Sequence, residues 1–174
     1  VGSTLVRQLE EQVKKIKHDQ GIDLHIFATA NSRHIRFLEK NHSKVVNNRG
    51  VKTLIDYAEE KQIKNLVFVD TTASVAITDD YILLFKSGFD IVAANKKANA
   101  SQFEKFKQIK KVQKQERKLF YYETNVGAAL PLIETLKNLV QTGDKIHSIR
   151  GIFSGTLSYL FNRYSVEDQN FPSI

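Results

Sequence analysis

Two short apolar runs, separated by a stretch with helical spacing, most constrain the fold of this chain. Residues 66–69 and 89–94 are rich in Val, Ile and Phe and are bounded by polar residues, a pattern typical of buried strands. Between them, Thr78 or Asp79 is predicted to cap a helix of about eight to ten residues, and Gly88 stands where a left-handed helix end is needed. A strand, a helix and a strand in this order predict a parallel pair with a right-handed crossover.

A polar cluster follows each of these strands. Residues 71–74 carry hydroxyls, and residues 95–97 read Asn-Lys-Lys. Because ligands of open parallel sheets bind outside the carboxyl ends of the strands, we predict that both clusters line one crevice. Asp70 is either a base there or an acceptor of backbone N–H bonds, and we favour the second role.

Lys96 is the main candidate for chemistry in this crevice. An ammonium group can meet cofactor phosphate or ribose, and it can polarise a substrate carbonyl or stabilise a developing alkoxide. Lys97 is the alternative, because strand alternation turns only one of the two side chains inward. A pair of solvent-exposed lysines is the remaining interpretation.

The rest of the chain shows the same periodicities. Apolar residues at positions 5, 9, 13 and 16 predict an amphipathic first helix. Further strands are predicted at 24–28, 119–123 and 146–153, further helices at 51–61, 100–114 and 129–139 with Pro131 in the first turn, and an irregular stretch at 34–50. The pattern changes after the polar turn 141–145, so we expect residues 1–145 to form one domain and residues 146–174 to begin a second.

Two features near the start of the chain bear on the ligand. Dinucleotide-binding units open with a glycine-rich turn, of which only the last glycine has a counterpart here, Gly2, and an ordinary chain start is the alternative. Residues 29–33 follow a predicted strand without an acidic residue, and they include Arg33. Since an arginine at this point accommodates a ribose 2'-phosphate, the turn favours NADP, or tolerance of both NAD and NADP. The alternative is that Arg33 is a surface residue.

Residues 123–131 form the other informative turn. Glu123 is followed by a glycine-containing loop, which can supply the hard oxygen ligands that an alkali or alkaline-earth cation takes. A plain strand-to-helix turn, with Asn125 as a local cap, is the interpretation that the residues alone favour.

Composition excludes several classes of protein. The 174 residues include no cysteine, which rules out disulfides and Cys-ligated zinc, and no secretory segment opens the chain, so we expect the cytoplasm. The five histidines form no helical pair with an acid, and no apolar run approaches the roughly 18 residues of a membrane span. The net charge of +7 is densest at 105–118, where a solvated helix face accounts for it, so we expect no nucleic-acid partner.

Five stretches, taken together and in this order, resemble homoserine dehydrogenase, particularly the form fused behind an aspartokinase. They are residues 1–3, 69–74, 95–99, 122–128 and 151–159. The resemblance implies an α/β fold: a Rossmann-type parallel sheet with helices on both faces, then the start of an α+β substrate and dimerisation domain. It implies NAD(P)-dependent interconversion of L-homoserine and L-aspartate 4-semialdehyde, in threonine and methionine biosynthesis. A homo-oligomer is expected, and a fused aspartokinase domain is compatible with the resemblance.

The resemblance also implies roles for individual residues. The family's cofactor contacts correspond by position to Val1, Gly2, Ala30, Thr72, Ser74 and Lys96. Thr156 corresponds to a residue beside the substrate. A sodium ion is implied as well, held by Glu123 and by the carbonyls of Val126, Ala128 and Leu130.

Other parts of the family's pattern have no counterpart in these residues. The first strand with its earlier glycines and the later stretch with the catalytic aspartate and lysine are not among them. We therefore expect the parent protein to be the enzyme and these 174 residues alone to turn over no substrate. A non-catalytic nucleotide-binding module is the alternative, and a piece without ligand affinity is a third.

Overall fold

The computed structural model describes residues 1–38, 43–47 and 50–166, which form an α/β arrangement. Residues 39–42 and 48–49 of the stretch predicted to be irregular, and residues 167–174 of the predicted second domain, lie outside the described residues. In chain order the elements are α1 (Gly2–Gln20), β1 (Ala28–Ala30), β2 (His34–Leu38), β3 (Ser43–Asn47), α2 (Val51–Glu60), β4 (Val67–Asp70), α3 (Val75–Asp79), α4 (Tyr81–Lys86), β5 (Asp90–Ala93), α5 (Phe103–Gln115), β6 (Phe120–Tyr121), α6 (Ile133–Gln141) and α7 (Gly155–Val166).

A three-stranded parallel sheet in the order β4-β5-β6 is the centre of the fold. The predicted parallel pair is confirmed, with Val67 opposite Asp90 and Asp70 opposite Ala93. One face of the sheet buries apolar side chains together with those of α4 and α5: Leu84, Phe85, Ile91, Ala93, Ile109 and Phe120. This burial removes apolar surface from water and stabilises the packing of α4 and α5 on the sheet.

The helical connection between β4 and β5 differs in detail from the prediction. It begins at Val75, just after Ser74, so Thr78 and Asp79 are not its caps. The Thr78 hydroxyl instead donates to the carbonyl of Val75 over 2.6 Å, inside the first turn. The connection also breaks at Asp80 into two short helices. The predicted left-handed end is confirmed, because Gly88 has a φ of 89°.

A second sheet lies before α2 and was not predicted. Strands β1, β2 and β3 pair antiparallel, so the irregular structure predicted for residues 34–50 is wrong in the part that is described. The reason is an alternation hidden among polar residues: Ile35 and Phe37 are buried, whereas His34 and Arg36 are exposed. The strand predicted at 24–28 begins only at Ala28.

The last third of the chain also departs from the predictions. No strand forms at 146–153, where the described backbone has no neighbouring strand to pair with. Helix α6 starts at Ile133, so Pro131 precedes the helix rather than lying in its first turn. The apolar segment that follows residue 155 forms α7. Among the described helices, none is both long and apolar enough to cross a membrane.

Candidate cofactor site

The loops that follow β4 and β5 meet at the carboxyl end of the parallel sheet. The side-chain amide of Asn95 donates to the Ser74 carbonyl over 2.9 Å and to the Thr72 hydroxyl over 3.3 Å. Asn95 is 1% exposed, and both of these bonds are partly buried. The predicted convergence of residues 71–74 and 95–97 is therefore confirmed.

The Asp70 side chain, at the end of β4, forms hydrogen bonds to both loops. Its carboxylate accepts bonds from the Thr72 backbone N–H at 2.8 Å, from the Tyr81 hydroxyl at 2.7 Å and from the Asn95 amide at 2.9 Å. The predicted role of Asp70 as an acceptor of a backbone N–H is confirmed. Burial, and then the bond to Asp70, raise the pKa of the Tyr81 phenol well above its ordinary value, so Tyr81 remains a donor.

Helix α1 begins beside the first of these loops. A Cβ built on Gly2 would lie 2.7 Å from Oγ1 of Thr71, closer than real Cβ atoms approach other atoms, so the backbone can pass here only as glycine without a shift. Val1 precedes the helix, and no side chain in the described part of the chain caps its first turn. Free N–H groups at a helix start attract anions, so this end of α1 suits a phosphate group.

Lys96 lies exposed on the second loop. In the described ranges, its ammonium group forms no hydrogen bond or ion pair, whereas its backbone carbonyl accepts the Ala100 N–H at 3.0 Å. The Lys97 backbone N–H donates to the Asn95 side-chain oxygen over 3.0 Å. The loop backbone is thus fixed by Asn95, while the Lys96 side chain can reach a ligand.

Ala30 lies in the antiparallel sheet, and Arg33 lies between two of its strands. Ala30 ends β1 opposite Ile35, and Arg33 is exposed in the turn that follows. The Arg33 backbone N–H donates to the Asn31 side chain over 2.8 Å. Within the residues that the structure describes, no hydrogen bond or ion pair joins Arg33 to the two site loops.

Glu123 closes the turn after β6 as a helix cap. One carboxylate oxygen accepts the Ile133 N–H and the other accepts the Glu134 N–H, each at 2.9 Å. The cap therefore belongs to Glu123 and not to Asn125, whose buried carboxamide has no hydrogen-bond partner among the described residues. Because Glu123 lies ten residues before Ile133 in the chain, the sequence pattern does not indicate this cap.

The same turn offers the oxygen atoms of the implied cation site. Gly127 and Ala128 both have left-handed backbone conformations, with φ of 69° and 53°. The Leu130 carbonyl accepts one bond, from the Leu132 N–H at 2.9 Å, and each Glu123 oxygen also accepts one. Each of these oxygens keeps a second lone pair, so the donors fit a hard cation in kind. The described residues contain no cluster of three or more His, Cys, Asp or Glu side chains that could hold a metal.

Thr156 lies at the start of α7 and belongs to neither of the two site loops. It is exposed in the first turn of α7, where the Ser154 hydroxyl oxygen accepts the Leu157 N–H at 3.2 Å. The described contacts do not join Thr156 to the loops at 71–74 and 95–97.

Comparison with known protein families identifies the family to which this chain belongs. The model of the homoserine dehydrogenase NAD-binding domain matches residues 1–123, and that of homoserine dehydrogenase itself matches residues 131–174. The chain belongs to the homoserine dehydrogenase family. Homoserine dehydrogenases are NAD(P)-dependent oxidoreductases, and the predicted α/β, Rossmann-type fold is confirmed.

Homologous proteins support the same family assignment. A bifunctional aspartokinase/homoserine dehydrogenase of Buchnera aphidicola is 37% identical over 172 residues, which are 94% of this chain and 21% of that protein. A chloroplastic bifunctional enzyme of Zea mays is 34% identical over 94% of this chain and 19% of its own length. A homoserine dehydrogenase of Paracoccidioides brasiliensis is 46% identical over 57% of this chain and 27% of its own. The chain spans about a fifth of the length of the bifunctional relatives.

Solved structures share the fold. A Candida auris protein of unknown function superposes with a TM-score of 0.71 at 29% identity, over 85% of this chain and 45% of that one. The homoserine dehydrogenase of Staphylococcus aureus gives 0.62 at 17% identity, over 99% of this chain and 40% of that one. A hyperthermophilic archaeal homoserine dehydrogenase in complex with NADPH gives 0.61 at 17% identity, over 78% and 46%.

Proposed function

We propose that this chain forms the NAD(P)-binding part of a homoserine dehydrogenase and holds the cofactor between the loops at 71–74 and 95–97. The observation that carries the proposal is the bond from the Asn95 amide to the Ser74 carbonyl, which ties both loops together at the end of the sheet. The start of α1 adjoins the same loops through Gly2 and Thr71. The match to the family's NAD-binding domain gives the chemical class of the ligand.

Three kinds of group serve the cofactor in this proposal. The backbone N–H groups at Val1 and Gly2 bind the pyrophosphate, which the positive end of the helix dipole favours. The hydroxyls of Thr72 and Ser74 hydrogen-bond to cofactor oxygens. The Lys96 ammonium supplies a full positive charge, and the residue lies exposed on the second of the two loops.

The adenosine end of the cofactor is assigned to the antiparallel sheet. Ala30 lines that region, and Arg33 follows it in an exposed turn. A guanidinium pairs with a phosphate in bidentate fashion, so Arg33 favours NADP while NAD remains usable.

In the parent enzyme, the reaction is the interconversion of L-homoserine and L-aspartate 4-semialdehyde. When bound between the two site loops, NAD(P) would supply the hydride chemistry of this reaction. As the hydride leaves the carbinol carbon, its hydroxyl loses a proton, and Lys96 stabilises the alkoxide character at the oxygen. Thr156 is proposed to lie beside the substrate, and no residue of this chain is assigned to the proton transfer. A nucleotide-binding module without chemistry is the alternative, and homoserine-dependent NADP reduction by the parent protein separates the two.

A sodium ion is a further part of the proposal. Glu123 would hold it with the carbonyls of Val126, Ala128 and Leu130, and it would supply a fixed positive charge beside the turn. The oxygen donors of this turn support the assignment through their chemistry.

The parent protein is proposed to work as a homo-oligomer in the cytoplasm. A fused aspartokinase domain, which the named bifunctional relatives have, is compatible with the proposal. Within the chain, the junction to the substrate domain is proposed near residue 145. The proposed pathway is the biosynthesis of threonine and methionine from aspartate.

Fluorescence of NADPH tests the cofactor assignment directly. Titration of NADPH with the 174-residue chain is expected to give a saturable enhancement, and NADH a weaker one. A folded chain that leaves NADPH fluorescence unchanged would contradict the proposal. Circular dichroism of the same sample provides the folding control.

A further inference from the structure

Tyr81 is linked to both site loops through the Asp70 carboxylate. It lies at the start of α4 with 0% of its surface exposed. Its hydroxyl donates to the Asp70 carboxylate over 2.7 Å. The sequence pattern indicates only that Tyr81 belongs to a helix between two strands, and it does not indicate a role for the hydroxyl.

Asp70 depends on that hydroxyl. The carboxylate is 1% exposed, and it has three hydrogen-bond donors and no positively charged side chain bonded to it among the described residues. One oxygen takes the Thr72 N–H, and the other takes both Tyr81 and Asn95. A buried carboxylate that loses a donor gains a desolvation cost, so the two remaining bonds are expected to shift.

The remaining bonds set the positions of both loops. Asp70 holds the start of the first loop through Thr72, and it orients the Asn95 amide. Asn95 then bonds to Ser74 on one side and, through its oxygen, to the Lys97 backbone on the other. A change at Tyr81 therefore reaches the Thr72 backbone through Asp70, and it reaches Ser74 and the Lys97 backbone through Asp70 and Asn95.

We propose that the Tyr81 hydroxyl is a positioning group for the cofactor, acting through Asp70 and Asn95 on the two site loops. The role rests on the proposed function, since it concerns the same crevice. The ring of Tyr81 has a separate, structural part, because it packs edge-on against Phe120 with centroids 5.7 Å apart. Tyr81→Phe keeps that packing and removes only the hydroxyl.

Phe85 offers a matched control on the same helix. It is also 0% exposed, and it packs against Phe120 with centroids 6.0 Å apart, but it has no polar group to bond to Asp70. Phe85→Leu therefore loosens the same core without touching the hydrogen bonds of the loops. A role in stability alone would make both variants behave alike.

Steady-state kinetics of the full-length parent enzyme test the proposal. Y81F is expected to raise the KM for NADPH by about fivefold or more with kcat changed less than about twofold, while Phe85→Leu lowers the Tm and leaves that KM in place. Hydrogen exchange at the Thr72 amide is expected to speed up in Y81F only, a readout that does not depend on activity.

The outcomes separate this role from the proposed function. An unchanged KM and unchanged Thr72 exchange in Y81F, or an equal rise of KM in Phe85→Leu, would overturn the positioning role while the cofactor assignment stands. An unsubstituted enzyme that binds no NADPH would overturn the proposed function, and the positioning role with it.

Discussion

The side-chain amide of Asn95 lies 2.9 Å from the backbone carbonyl of Ser74, across the gap between two loops that are 21 residues apart in sequence. This bond connects the loops that follow two neighbouring parallel strands, β4 and β5. A ligand at these loops meets groups whose positions are already set, so little conformational entropy is lost on binding.

Asn95→Leu and Asn99→Leu are predicted to have opposite effects on stability. Asn95→Leu removes every donor bond of a buried amide and leaves Asp70 with one donor fewer, at a cost of about 2 to 4 kcal/mol in the free energy of unfolding. The Asn99 carboxamide atoms are buried without a hydrogen-bond partner in the described part of the chain, so leucine there is expected to be neutral or stabilising. Urea unfolding of both variants measures the contrast, and equal losses would refute it.

Glu123→Gln is predicted to loosen the connection between β6 and α6. The carboxylate accepts two backbone N–H bonds at the start of α6, and an amide can accept with only one of its two terminal atoms. We expect a loss of about 1 to 2 kcal/mol in the free energy of unfolding. Glu134→Gln, in an exposed position on the same helix, is the control and should change it much less. Similar losses in the two variants would argue against the cap.

Asp79 and Asp80 are adjacent acids with opposite predicted effects. Asp79 forms an ion pair with Lys105 of α5, so Asp79→Asn is expected to lower the Tm. Burial, and then the charge of Asp79, raise the pKa of Asp80 above its ordinary value.

The raised pKa fixes the sign of the pH dependence at Asp80. A carboxyl group whose pKa is higher in the folded state favours folding when it is protonated, and this contribution is lost as the pH rises through the folded-state pKa. Asp80→Asn is therefore expected to raise the Tm at neutral pH and to leave it nearly unchanged at about pH 3. Thermal unfolding of Asp80→Asn at the two pH values tests this, and a Tm gain that is the same at both would contradict it.

Lys96→Ala in the full-length enzyme is predicted to lower kcat/KM at least about tenfold, which corresponds to about 1.4 kcal/mol. The reason is the loss of the exposed positive charge at the crevice. Lys97→Ala is the matched control on the neighbouring residue, whose backbone and not its ammonium group is bonded to Asn95. Steady-state kinetics of both variants decide between them. Unchanged kinetics in Lys96→Ala would remove Lys96 from the mechanism, and a larger loss in Lys97→Ala would transfer the role.

The sequence predicts those features that depend on neighbours in the chain. The parallel strands around Gly88 and the loops at their ends follow from short apolar runs, and both are confirmed. Strands β2 and β3 were missed because each is only five residues long and the pairing that stabilises them is visible only in space. The opposite error occurs at 146–153, where a strand was predicted and none forms. An alternating pattern without a neighbouring strand has no backbone partners for its hydrogen bonds.

Within the site, the sequence predicts hydrogen bonds between residues close together in the chain, but not those between residues far apart. Asp70 was expected to accept a backbone N–H because Thr72 is two residues away. Its bond to Tyr81 spans 11 residues and that to Asn95 spans 25, and both depend on how α4 and β5 pack. The helix cap by Glu123 is likewise set by the path of the chain between the carboxylate and α6.

The most direct measurement is a titration of the isotope-labelled chain with NADPH, followed by the chemical shifts of its backbone amides. The account predicts that shifts concentrate at Gly2, at Thr72 to Ser74 and at Asn95 to Lys97, and that the basic helix α5 is little affected. Shifts confined to α5, or none at saturating NADPH in a folded chain, would contradict the claim that these loops form the cofactor site.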